Sequence, residues 1–276
     1  MQMEVFPEPS FFKESRAPDL PTPAEVRAIN RASGNICATN FNRPPPVMIP
    51  SLCLVVKYGA DVTIVEPSSQ MIAREKLIGK VPMPEAFGWT EDGGQRFIYV
   101  SLIEGETLQE RWCDMNDDDR RTVCLELKHM VKAWRALKQD KHDFYIGNFG
   151  KQPLKEVFLE SHPELAGPFQ GANAVQRFQD TCGIEINVEA SITFTHNDLV
   201  AGWYPAYWEY CKARRVRVDP EYFDDAVQEE WYTKYLPTIL DPEDDETYYY
   251  PWLCLISFLS VSINHDIPFV VPKRSL

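Results

Sequence analysis

The sequence predicts an α+β protein, with a small sheet-bearing lobe followed by a larger helical one. Three observations predict it. β-Prone runs occur at 51–59 and 96–102, and the hairpin signal Asp92-Gly93-Gly94 stands just before the second. A long amphipathic helix pattern opens at Asn116, and strand patterns dominate before about residue 105, helix patterns after about residue 115. The chain therefore divides into a Pro-rich and helical N-terminal extension (1–50), a sheet-bearing lobe (51–104) and a helical lobe (105–276).

In chain order, Thr22-Pro23-Ala24-Glu25-Val26 reads as a helix start, with Thr as N-cap and Pro at the first helical position. Pro44-Pro45-Pro46 fits neither a helix nor a central strand, so it marks a loop. SLCLVVKYG (51–59) reads as one buried strand ended by Gly59, followed by a helix from Ser68 to Ile78. VPMPEAFGW (81–89) is an extended connection leading to a strand from Arg96 to Leu102. The Asn116 helix runs to about Gln139: Asn116 caps it, and Asp117, Asp118 and Asp119 favour its positive end. Val123, Leu127, Met130, Val131, Trp134 and Leu137 share its core face. SITFTHNDL (191–199) is a short strand breaking into a polar turn, and helices are predicted over Tyr204–Arg214, Asp225–Lys234 and Tyr249–Ile263.

Composition excludes some functions. With 276 residues, 44% apolar and 25% charged, the chain can bury a core as one large domain or two lobes sharing a cleft. A net charge of −13 without a basic stripe argues against nucleic acid; an anionic nucleotide would need a placed Lys and metal ions. Seven cysteines without metal-type pairs read as reduced, mostly buried thiols of a cytoplasmic protein. The N-terminus has no basic region followed by an apolar run, and the apolar stretch Trp252 to Ile263 is too short to span a bilayer. No secretory signal and no membrane association are expected.

Two short segments carry candidate chemistry. Lys57 ends an apolar strand, where a lysine is ordinarily a surface residue; in a cleft its ammonium would pair with nucleotide phosphates. Such a lysine needs a carboxylate on a neighbouring helix, and Glu66 and Glu75 are both within reach in sequence. In Thr195-His196-Asn197-Asp198-Leu199, the Asp can simply bond its own turn; as chemistry, Asp198 is a base for a substrate hydroxyl and His196 fixes the loop.

Taken in order, VVKYG, VPMPEAFGW, IEGETL, the long helix, FTHNDL and AGWYPAYWEYCKAR resemble the aminoglycoside-phosphotransferase and choline-kinase-like family, over roughly residues 50 to 215. The resemblance implies a protein-kinase-like two-lobe fold, and ATP and Mg2+ as phosphoryl donor and cofactor. It also implies a small-molecule hydroxyl as acceptor. Lys57 would contact phosphates with Glu66 as its helix partner. Ser101, Leu102 and Ile103 would link the lobes and offer backbone groups to adenine, and Asp198 would be the catalytic base.

One departure stands out. Such chains place a metal-binding Asn five residues after the catalytic Asp, then a hairpin and a second Asp. Here that position is Trp203, and HNDLV (196–200) runs straight into AGWYP (201–205), which resembles what should follow the second Asp. About 15 residues are missing by typical strand lengths, which predicts a locally open fold. Glu209, among aromatic residues, reads as structural, and Asp219 is the remaining stand-in for the lost ligand. Three readings follow: an active kinase, a pseudokinase that binds nucleotide or acts as a scaffold, or a truncated product of an intact kinase gene. Trp203, Tyr204, Tyr207 and Trp208 read either as the border of an acceptor pocket or as core, and the negative charge suits a cationic acceptor.

Overall fold

In a computed structural model, the structure describes residues 3–7, 9–140, 142–156, 159, 162–184, 186, 190–196 and 201–253. These form an α+β protein with two antiparallel sheets. The chain separates into two compact units, Met1–Glu104 and Gly105–Leu276.

The first unit contains β1 (Glu4–Val5), α1 (Ser10–Lys13), α2 (Pro23–Ala32), β2 (Val47–Ile49), β3 (Leu54–Gly59), α3 (Val65–Leu77), β4 (Ala86–Asp92) and β5 (Gln95–Ser101). The strands form one sheet in the order β1-β4-β5-β3-β2. Thr22 caps α2 through a full capping box with Glu25. The first 50 residues are not an appendage. β1 and β2 are the two edges of the sheet, and Phe11, Leu20 and Val26 are buried against Leu54, Val56, Phe87, Phe97 and Tyr99.

The run 51–59 is a strand only from Leu54, because Pro50–Leu52 form a 3-10 turn and Cys53 turns left-handed. Leu54, Val56 and Tyr58 face the main core, while Val55 packs with the smaller cluster of Ala86, Ile98 and Val100 on the opposite face. Strand alternation puts Lys57 on that second face. Gly59 ends β3 at φ +146, where a Cβ would stand 2.0 Å from the Asn42 carbonyl oxygen. Gly59→Ala is therefore expected to cost about 3 kcal/mol, read as a lower urea midpoint; a wild-type midpoint would contradict this packing.

The second unit contains α4 (Leu108–Arg111), α5 (Asp117–Arg135), β6 (Tyr145–Asn148), β7 (Phe169–Gln170), α6 (Ala174–Cys182), β8 (Ile192–His196), β9 (Ala201–Pro205), α7 (Trp208–Arg215), α8 (Asp225–Glu230) and α9 (Leu236–Ile239). Its sheet order is β7-β6-β9-β8. Asn116 caps α5 by accepting from the Asp118 and Asp119 amides. Its helical run stops at Arg135, four residues before the predicted end. The expected Tyr204–Arg214 helix starts only at Trp208, since Ala201–Pro205 are taken by β9. Phe178, Tyr204, Tyr207, Trp208 and Trp252 fill the core of this unit. The six cysteines among the described residues are free thiols, and burial pushes Cys124 up to about 11 and Cys182 up to about 12. No helix among the described residues is long and apolar enough to cross a membrane.

Candidate functional site

Lys57 and Glu66 meet. The ammonium of Lys57 donates to Oε1 of Glu66, and the two side chains are 30% and 12% exposed. The helix that brings Glu66 there starts at Val65, earlier than Ser68, because Pro67 falls in the first turn, where its missing N–H removes no helical bond. Glu75 makes no such contact. Burial pushes the Glu66 carboxyl above the usual carboxylate range, and the Lys57 charge pulls against that shift. The pair thus couples one strand of the sheet to its only long helix between β3 and β4, with a cation that still reaches solvent.

Ser101, Leu102 and Ile103 leave the sheet at the end of the first unit. The Ser101 amide donates to the Glu85 carbonyl and its hydroxyl accepts from the Glu85 amide, both at 2.8 Å. The Leu102 amide donates to the Cys53 carbonyl at 2.9 Å. Two of the three amides are therefore committed within the protein. Among the described residues no hydrogen bond uses the N–H or C=O of Ile103, so that residue alone offers both groups to a ligand. Glu85, which the sequence did not single out, also accepts from the Ser10 amide at 2.9 Å and so ties the N-terminal segment to this strand end.

Of the two residues expected to be catalytic, His196 ends β8, while Asp198 lies outside the described residues, as do Asn197, Leu199 and Val200. β8 and β9 pair antiparallel from Ile192↔Pro205 to His196↔Ala201, and the join itself lies outside the described residues. Trp203, at the place of the expected Asn, is 6% exposed; it pairs with Phe194 and packs edge-on against its ring at 5.3 Å. An indole so placed supplies no metal oxygen ligand.

The remaining candidates are structural. Glu209 accepts from Arg135 at 3.0 Å and 2.9 Å, and burial raises its carboxyl against the pull of that guanidinium. Asp219 opens a turn, its Oδ1 accepting from the Glu221 amide at 2.9 Å and its carbonyl from Tyr222 and Phe223. Trp203, Tyr204, Tyr207 and Trp208 are buried core side chains, which settles their reading against a pocket rim. Among the described residues no three His, Cys, Asp or Glu side chains gather to hold a metal ion. No family model matches the chain, and no curated protein matches it.

Proposed function

We propose that this chain is a nucleotide-binding protein of protein-kinase-like fold, related to the aminoglycoside phosphotransferases and choline kinases. In that reading it descends from enzymes that pass a phosphoryl group from ATP to a small-molecule hydroxyl. The observation that carries the proposal is the Lys57–Glu66 pair, formed between a sheet strand and the helix that follows it. A lysine held this way presents a compact charge to nucleotide phosphates, and the carboxylate keeps it from folding away. Ile103 supports the reading by offering free backbone groups where adenine would bind. Asp198 would be the base for the acceptor hydroxyl, steadied by His196.

A specific observation favours binding over turnover in this form. Trp203 occupies the position where a metal-binding Asn is expected, inside the β8–β9 strand pair. Phosphoryl transfer depends on metal ions to neutralise developing charge, so their loss costs several orders of magnitude in rate. ATP consumption with Mg2+ and a panel of small-molecule alcohols and amino alcohols is the test. Consumption at background is expected. Magnesium-dependent consumption that disappears in Asp198→Ala would instead make this form an active kinase. Sequencing full-length transcripts across the codons for Val200 and Ala201 separates a lost segment from a spliced one. A longer transcript with an Asn five residues past Asp198 would assign kinase activity to the longer protein.

A further inference from the structure

Lys212, Arg214, Arg215 and Arg217 put four basic side chains within six residues of a chain whose net charge is −13. Two are neutralised locally, Lys212 by Glu156 at 3.2 Å and Arg217 by Asp225 at 2.7 Å. Arg214 is held differently. Its guanidinium carbon stands 5.1 Å from the ring centroid of Tyr232 and 5.7 Å from that of Tyr249. Each of those rings comes from a π turn, Trp231–Tyr235 for Tyr232 and Asp245–Tyr249 for Tyr249. These are the two π turns among the described residues. Such turns are rare and poorly bonded, and they concentrate at functional sites. Here both deliver a ring to one cation. Tyr232 is fixed further, since its hydroxyl donates to the Val216 carbonyl.

A guanidinium covered by aromatic rings still has its N–H groups in its own plane, pointing outward past the ring edges. Among the described residues no carboxylate forms an ion pair with Arg214, although the side chain is half-buried. The charge of Arg215 reaches the same Tyr249 hydroxyl as that of Arg214. Asp245 and Glu229 add negative charge near these tyrosines.

We propose that Arg214, set over the rings of Tyr232 and Tyr249, is a binding site for a phosphate group, whose oxygens accept two in-plane N–H bonds from the guanidinium. Phosphate geometry matches the guanidinium fork. The site belongs to the second unit and involves neither Lys57 nor Ile103.

The test is calorimetric titration with inorganic phosphate, against sodium chloride at matched ionic strength. Wild type is expected to bind at millimolar concentration. Arg214→Gln should weaken binding about tenfold or more, and Arg214→Lys, which keeps the charge without the fork, should fall between them. Arg217→Gln should bind as wild type does, with circular dichroism confirming that each variant is folded. Absence of binding in wild type, or unchanged binding in Arg214→Gln, would overturn the site. Loss in Lys57→Met with retention in Arg214→Gln would move the phosphate to the nucleotide position and overturn it equally. Acetate binding as tight as phosphate would overturn the phosphate assignment.

Discussion

Lys57→Met is expected to weaken ATP binding about a hundredfold, the worth of roughly two charge-assisted hydrogen bonds to phosphate. The protein should still fold but be less stable near neutral pH, because Glu66 is left buried without its cation. Lys57 is 30% exposed, and the ion pair it makes is offset by the burial of Glu66, whose carboxyl already sits above the usual carboxylate range. The sign of the pH effect follows from that direction. A carboxyl raised in the folded state contributes stability that is fully present below the ordinary carboxylate pKa and is lost as pH rises through the folded value. Lys57→Met removes the charge that opposed the shift, so its stability should fall more steeply than wild type above the ordinary carboxylate range. Adding Glu66→Gln should flatten that dependence without restoring nucleotide binding. Urea unfolding across pH measures it; a Lys57→Met profile parallel to wild type would mean that the two charges do not interact.

Glu209→Ala carries the largest expected loss of stability, about 3–5 kcal/mol, because it strips one partner from a buried ion pair. Glu209 is 12% exposed and receives both Nε and Nη2 of Arg135, so the pair fixes α7 on the end of α5. The cost is the uncompensated guanidinium left behind, more than the lost attraction. Replacing both residues by apolar ones of similar volume should therefore cost much less than the two single changes added together. A double-mutant cycle in urea reads this directly. Additive single effects would show that the fork contributes nothing as a pair.

Long, periodic elements were legible in the sequence. α5 with its Asn116 cap, the Thr22 cap of α2 and the β4–β5 hairpin around Gly93-Gly94 are each specified by local chemistry, and each formed. The failures have physical causes. β1 and β2 are two and three residues long, too short for any period, and only pairing with β4 and β3 makes them strands. The helix expected over Tyr204–Arg214 begins late because β6 and β8 flank Ala201–Pro205 and take that segment into the sheet. The choice between Glu66 and Glu75 could not be made from spacing; it depends on where α3 begins, and Pro67 in the first turn decides that. Arg135 and Arg214 were invisible as single letters. A carboxylate inside the aromatic run AYWEYC could have pointed to a buried cationic partner, but nothing local announces two π turns meeting on one arginine.

The most direct measurement is calorimetric titration of ATP into wild type and Lys57→Met, each with Mg2+ and with a chelator. Binding to wild type that persists in chelator and is lost in Lys57→Met is the predicted result. No binding to wild type, or equal affinity in the two proteins, would contradict a nucleotide site organised by Lys57 and Glu66.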